Sequence, residues 1–373
     1  MRVLMVSTSY PRDAADWRGI FMAHLVSGFA RNERIRLALW APPADLPKRV
    51  ERATTPAEAR WLSALMDQDG ISHMLRARPV AGLAAALRLL HLLRAAYRRS
   101  RDVDVYHINW LQCALPLPGN GKAVLITVLG NDMKLLRLPL MRLALRRVMR
   151  HRKVAICPNA QWMVEPLRDA FGDVANIVPV VFGIDPAWYA VQRHLPPEQP
   201  RRWLAVTRLT ANKLGPLFEW SEPLFREGTR ELHLFGPMQE NITVPAWVHY
   251  HGSATPEQLV RDWFPRAYGL ITLSRHAEGR PQVMLEAMAA SLPIIASHMP
   301  AHADIVADGV TGALCDSASN YAQVLERLEV PDTNQRCGIA ARAWAMSEIG
   351  TWDDCAERYM DIYWHLLRAT ADA

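Results

Sequence analysis

Two carboxylates in the stretch EGRPQVMLEAMAASLPIIAS, Glu278 and Glu286, are separated by seven residues, and the chain changes character between them. Residues 269–274 (GLITLS) are strand-like, and SRHAEGRP then reads as a loop at that strand's carboxyl end. Pro281 suits the first turn of a helix, where a missing N–H is harmless. VMLEAMAAS continues as a strong helix former, and Pro293 ends it near Ser291. This places Glu278 in the loop and Glu286 within the first two helical turns. A helix start at a strand end offers free N–H groups and a partial positive charge, which suits a phosphate. Carboxylates beside it repel phosphate and instead suit hydroxyls or amines. Two acids bracketing a phosphate site therefore point to a sugar nucleotide, one acid for the transferred sugar and one for the ribose.

Those residues need a scaffold. Short apolar runs at 3–7, 35–40, 103–108, 123–128, 154–157 and 177–181 alternate with helix-like segments. The stretch WYAVQRHLPPEQPRRW, with Pro196, Pro197 and Pro200, reads as a linker. The alternation resumes at 203–207, 231–236, 248–251, 269–274 and 294–297. Such alternation predicts α/β domains with parallel sheets covered on both faces, here two Rossmann-like units. Ligands in such sheets bind beyond the carboxyl ends of the strands. The segment TWDDCAERYMDIYWHLLRA predicts a C-terminal packing helix with Thr351 as N-cap.

Together the spacing of Glu278 and Glu286, the EAMA run, Pro-Ile-Ile-Ala and the later DGVTG resemble the E-x7-E signature of retaining glycosyltransferase family 4. The resemblance covers nearly the whole chain. It implies the GT-B fold, two Rossmann-like domains facing a central cleft. It also implies an N-terminal acceptor domain over 1–187, a nucleotide-sugar domain over 201–345, and a C-terminal helix over 346–373 that packs back towards the first domain. Activity would be transfer of a sugar from a UDP- or GDP-sugar to a saccharide or lipid-linked acceptor, without a metal or other cofactor. No Asp-x-Asp motif of the metal-dependent kind is read in the sequence.

The resemblance also assigns residues. Glu278, Arg208 and Lys213 would be catalytic, with Arg208 and Lys213 in WLAVTRLTANKLG neutralising the donor diphosphate. Glu286, Gly279, Arg280, Pro281, Gln282 and Val283 would bind the donor. Gly19, in STSYPRDAADWRGIF, would let the backbone approach the diphosphate. In VLGNDMK the family's histidine is replaced by Leu129, while Gly130 and Asp132 remain on the acceptor side. His107, at the end of the preceding strand, is either a substitute for that histidine or a structural residue. Two other readings stand beside transfer: a GT-B sugar-nucleotide epimerase, which would turn over donor without acceptor, and an inactive scaffold paralogue in a glycan assembly complex.

Composition narrows the setting. The chain has 373 residues, 43 Lys and Arg against 37 Asp and Glu, and five scattered cysteines without a CxxC. Neither a zinc site nor a disulfide framework is indicated, and a reducing cytoplasm is expected. No signal peptide is read at the N-terminus, and the most apolar stretch, from Val80, carries Arg88, His91 and Arg94. Over residues 1–190 there are about 27 basic and about 15 acidic residues, so the first half is basic and the second acidic. The segment NDMKLLRLPLMRLALRRVMRHRK interleaves basic and apolar residues. It reads either as a helix lying on anionic lipid at the inner face of the cytoplasmic membrane or as a solvated helix face. Nucleic acid is not indicated, since no aromatic platform accompanies the charge.

Overall fold

Aliphatic runs too short for helices become parallel strands when both sheet faces are covered. The computed structural model has two such sheets, and it describes every residue except 14, 15, 17, 69, 196–199, 277 and 369–373. The chain divides into two units, 1–182 with 352–373, and 183–351. The break therefore falls ahead of the Pro-rich stretch. Trp188 explains this: it is buried and packs 4.8 Å from Phe264, which ties it to the second unit. Pro196 and Pro197 of the expected linker lie outside the described residues.

In the first unit, β1 (Arg2–Val6), β2 (Arg36–Trp40), β3 (Val50–Arg52), β4 (Val105–Asn109), β5 (Ala123–Val128), β6 (Val154–Pro158) and β7 (Asn176–Ile177) form one parallel sheet. Their order is β3-β2-β1-β4-β5-β6-β7. The run at 177–181 was expected to be a full strand, but β7 is only two residues long. Val178 N and Val180 N still donate to Ile156 O and Pro158 O of β6 at 3.0 and 2.9 Å, so the run follows β6 without completing the strand. The helices are α1 (Ile20–Arg31), α2 (Pro56–Asp67), α3 (Ile71–Ala77), α4 (Pro79–Arg99), α5 (Pro139–Met149) and α6 (Val164–Phe171). One face of the sheet packs Leu4, Tyr106 and Ile126 against Leu89 and Leu93 of α4 and Leu145 of α5. The other packs Met5, Val105 and Leu125 against Phe29 of α1 and Tyr359 and Tyr363 of the C-terminal helix Trp352–Arg368. The basic segment after β5 is not one helix. A 3-10 stretch over Gly130–Arg137 gives way to α5 at Pro139, which disrupts a helix interior but suits a first turn.

The second unit repeats the plan. Its strands are β8 (Arg201–Val206), β9 (Arg230–Phe235), β10 (Val248–Tyr250), β11 (Gly269–Thr272), β12 (Ile294–Ser297) and β13 (Gly312–Cys315), in the order β10-β9-β8-β11-β12-β13. Its helices are α7 (Pro186–Tyr189), α8 (Ala211–Leu214), α9 (Leu217–Phe225), α10 (Pro256–Gln258), α11 (Gln282–Ala289), α12 (Pro300–Ala303), α13 (Ala318–Leu328) and α14 (Pro331–Trp344). Strands β3 and β13 have no counterpart among the sequence expectations, because VER is polar and GALC is short and weak in β propensity.

Buried Glu329 anchors the amino end of β8. Its oxygens accept from Arg230 Nε at 2.7 Å, Arg201 Nη1 at 3.1 Å and Trp203 Nε1 at 3.3 Å. Two guanidinium groups and an indole converge on one carboxylate, and β8 and β9 are fixed against the turn after α13. Removing the acid would leave two half-buried guanidinium groups unpaired, which costs up to roughly 3–5 kcal/mol. Glu329→Ala is therefore expected to lower unfolding stability by about that amount, with Glu329→Gln losing less, as measured by urea titration.

Candidate functional site

In a doubly wound sheet the crevice opens where the strand order reverses, beyond the carboxyl ends. In the second unit the reversal lies between the neighbours β8 and β11. Arg208 and Lys213 follow β8, while Ser274 and Glu278 follow β11, so the topology brings them together at that point. Lys213 Nζ lies 2.6 Å from Glu278 Oε1, and the two side chains are only 12% and 15% exposed. The same oxygen accepts from Ser274 Oγ at 3.2 Å.

Local sequence sets this meeting up. Thr210 caps α8, its side chain accepting from Lys213 N, so Lys213 is fixed in the last turn of a one-turn helix. Gly215 ends that helix at a φ of 54°, and a Cβ there would come 2.0 Å from the Leu273 carbonyl. Only glycine allows the β8 loop to lie this close to the β11 loop. Arg275 N also donates to Asn212 O at 2.8 Å, stitching the two loops. Burial pushes the Lys213 ammonium below the usual lysine range, Glu278 opposes that shift, and Arg208 adds to it. Arg208 is thus close enough to Lys213 to be felt, and its Nη1 donates to Gln239 Oε1 at 3.3 Å.

The loop and helix that carry the remaining expected donor residues differ slightly from the sequence expectation. Pro281 is the N-cap, and α11 begins at Gln282. Gln282 Nε2 donates to Gly183 O at 2.7 Å. Arg280 Nη2 donates to Asp304 O at 3.2 Å, and its Nε is buried with no hydrogen-bond partner among the described residues. Burial holds that guanidinium below its usual range, with Asp304 opposing. Gly279 and Val283 are half-buried around the same start. Glu286 is half-buried on α11, and burial first, then the Asp185 carboxylate, raises it to about 8.

Three participants were not singled out from the sequence. Ser297, at the end of β12, donates through Oγ to Ser274 O at 2.5 Å. His302 on α12 is fully buried, and its Nδ1 lies 2.9 Å from Ser297 O. The carbonyl requires Nδ1 to carry the proton, so Nε2 is the acceptor, and it is buried without a partner among the described residues. Burial lowers the His302 pKa, and the fields of both Glu278 and Lys213 reach it. The third is Asp185, the acid facing Glu286. No motif marks these residues; strand order brings in Ser297 and His302, and the packing of α7 on α11 brings in Asp185.

In the first unit the candidate residues fall at the carboxyl ends of β4 and β5. Asp132 is buried, and its two oxygens accept from Leu111 N at 2.9 Å and Leu129 N at 2.8 Å. It clamps the two loops together, and burial, partly offset by these N–H groups, raises it to about 7. Both oxygens are therefore engaged with backbone. Gly130 is buried beside it. Trp110, between the clamped loops, has a φ of 71°, a strained value for a bulky residue. His107 belongs to the core: it is fully buried, with Nε2 2.8 Å from Thr127 Oγ1 and Nδ1 2.5 Å from Tyr363 Oη. Burial drives it to about 3, so it is neutral and has no surface for a ligand, which decides between its two readings. At Gly19 (φ 73°) the crowding comes from the chain itself. A Cβ would lie 2.6 Å from Ser9 Oγ and 2.8 Å from the Ser9 carbonyl carbon. Residues 14, 15 and 17 of that loop lie outside the described residues.

Residues 203–329 match the model of the family Glycosyl transferases group 1. A D-inositol 3-phosphate glycosyltransferase of Streptomyces griseus is 34% identical over 119 residues, which is 31% of this chain and 24% of that protein. The aligned stretch thus spans about a quarter of this curated relative. Among solved structures, sucrose-phosphate synthase from Thermosynechococcus elongatus superposes with a TM-score of 0.70 at 15% identity, covering 99% of this chain and 100% of that one. Anabaena HepE in complex with UDP-glucose gives a TM-score of 0.66 at 13% identity, covering 97% and 99%. Both establish the fold, GT-B, with two parallel Rossmann-like sheets.

The raised value of Glu286 has a measurable consequence. Folded, it holds a proton that the unfolded chain releases near its ordinary value of 4.5. Its contribution to stability is present below about 4.5 and is lost as pH rises through that window to about 8. Glu286→Gln keeps the neutral form at every pH. The stability difference between variant and wild type, read from denaturant midpoints at several pH values, is expected to grow in the variant's favour across this window. An unchanging difference would refute the assignment.

Proposed function

Residues 203–329 of the chain belong to the group 1 glycosyl transferases, and we propose that the whole chain is a retaining glycosyltransferase that takes its sugar from a nucleotide-diphosphate donor. The observation that carries this reading is the sheltered Lys213–Glu278 pair at the switch point of β8 and β11. A lysine and a glutamate that neutralise each other in the absence of ligand give each a partner until the donor arrives. The donor diphosphate then takes Lys213 and Arg208 as counterions, and the start of α11 adds its N–H groups. Glu278 remains beside the transferred sugar as an acceptor for its hydroxyls, and Glu286 serves the ribose.

The acceptor hydroxyl attacks the anomeric carbon from the face the nucleotide leaves, so the configuration is retained. The bond to the diphosphate oxygen breaks as the new glycosidic bond forms, and the departing phosphate oxygen accepts the hydroxyl proton. Lys213 and Arg208 balance the charge that accumulates on that leaving group. Losing one fixed donor of this kind raises the barrier by about 3–4 kcal/mol. On the acceptor side we favour a saccharide or lipid-linked saccharide of bacterial glycan synthesis. Peripheral contact of α5 with the cytoplasmic membrane is in keeping with the basic first unit.

A thermal-shift panel of UDP, GDP, ADP and their sugars tests this reading. A ligand at a hundredfold its Kd stabilises the fold by about 2.7 kcal/mol. At least one nucleoside diphosphate is expected to raise the melting temperature of wild type, and Lys213→Ala is expected to abolish that rise. Glu278→Ala is expected to keep the rise with the bare diphosphate while turnover of the sugar nucleotide falls by about 10²–10³. A panel with no shift at all would refute the donor site.

A further inference from the structure

Fourteen large hydrophobic side chains are exposed among the described residues, and seven of them lie between residues 75 and 143 on α3, α4 and the entry to α5. Helix α4 is the most unusual. It is apolar enough over its length to have a mean hydropathy of 1.3 across its most apolar window, yet only 28% of that window is buried. Its buried residues Leu89, Leu93, Ala96 and Tyr97 all lie in its second half, which is thereby fixed to the sheet. In the first half only Gly82 is buried, and what covers it is α3: a Cβ at Gly82 would lie 2.6 Å from Leu75 N. The α3–α4 hairpin therefore carries an outward stripe, with Val80 86%, Leu83 58% and Leu87 60% exposed beside Leu75. The stripe follows the three- and four-residue spacing of one helix face.

Helices α4 and α5 bury their inner sides in one cluster, on the same face of the first sheet. The outward sides of α4 and α5, the latter with Leu140 81% and Leu143 62% exposed, belong to that same flank of the unit. The charge around them is one-sided. Residues 71–101 contain seven arginines and no acid, and residues 133–164 contain eight lysines and arginines and no acid. Of these, Arg99 pairs with Glu58 and Arg146 with Asp173.

We propose that this flank is a docking surface for an anionic lipid bilayer, with the α3–α4 hairpin as its apolar wedge. Leu75, Val80, Leu83 and Leu87 enter the boundary between headgroups and acyl chains, and the surrounding arginines hold lipid phosphates. Exposed leucines ringed by unopposed cations match that boundary in both polarity and charge. A second copy of the chain would bring like charges together, and a nucleic acid would leave the leucine stripe in water. The hairpin does not span the membrane, because the second half of α4 is committed to the sheet. The inference adds to the acceptor side of the proposed function, but binding to lipid needs no sugar nucleotide and is measured separately.

The full chain is mixed with phosphatidylcholine vesicles with and without phosphatidylglycerol and sedimented. Wild type is expected to bind the anionic vesicles at least about tenfold better, and to keep part of that binding at high salt because the leucine contribution is not screened. The double substitution Leu83→Glu with Leu87→Glu should reduce binding about tenfold or more while leaving the thermal shift by nucleoside diphosphates unchanged. All five native cysteines are buried, so Leu83→Cys accepts an environment-sensitive dye selectively, and its emission should move to the blue on anionic vesicles. Three results would overturn the proposal: wild type that ignores anionic vesicles, a double variant that binds like wild type, or a stripe whose substitution abolishes self-association of the chain in the absence of lipid.

Discussion

The arrangement of the second unit depends on two parallel strands, β8 and β11, pairing side by side although more than sixty residues separate them in the chain. Each strand ends in a loop that carries one charge inwards. Were the strands not neighbours, Lys213 and Glu278 would each be a partly buried ion without a counterion, a situation that costs several kcal/mol. Together they neutralise one another at 2.6 Å. The close approach of the loops depends in turn on Gly215, where a Cβ would strike the Leu273 carbonyl. The strand order, the glycine and the ion pair are thus one constraint described at three scales.

How much of this was legible in the sequence follows from burial. Strands inside a covered parallel sheet must be apolar on both faces, so β1, β5, β8, β11 and β12 were recognisable as runs. Strands at the sheet edges carry less of that signal, and β3, β7 and β13 were missed or mis-sized. Glu278 and Glu286 were legible because a loop–helix junction has its own punctuation in Pro281 and Pro293. Ser297, His302 and Asp185 were not. They come from β12, α12 and the start of α7, and nothing in their local sequence records that β12 lies next to β11. In the first unit the sequence put Asp132 and His107 forward as acceptor-side residues, whereas in the structure each is saturated by its neighbours.

The two polar residues of the first unit show how that saturation arises. Asp132 satisfies the N–H groups of Leu111 and Leu129, which belong to turns after different strands. A carboxylate with two backbone donors can stay buried where an unpaired one could not. Tying the turns together also holds Trp110 in a backbone conformation that a large residue rarely adopts. Strain of this kind persists only where the surroundings over-determine it, and it clusters at ligand sites. Trp110 stands at the carboxyl end of β4, next to β1, the point at which the first sheet reverses its order. Leu129, where the family's histidine was expected, lies in the turn that Asp132 clamps.

The charge asymmetry read from the composition has a definite location. In the second unit several basic side chains meet acids: Arg201 and Arg230 meet Glu329, Lys213 meets Glu278, and Arg261 meets Asp262. The first unit's excess sits instead on α4, α5 and the turns around them, in stretches with no acid at all. A helix that needed only solubility would be served by mixed charges, which also stabilise it through pairs three or four residues apart. These helices forgo such pairs and expose leucines as well. Both choices are unfavourable in water, and an anionic, apolar-backed surface would make both favourable. The pairing of the two features on one flank therefore says more than either does alone.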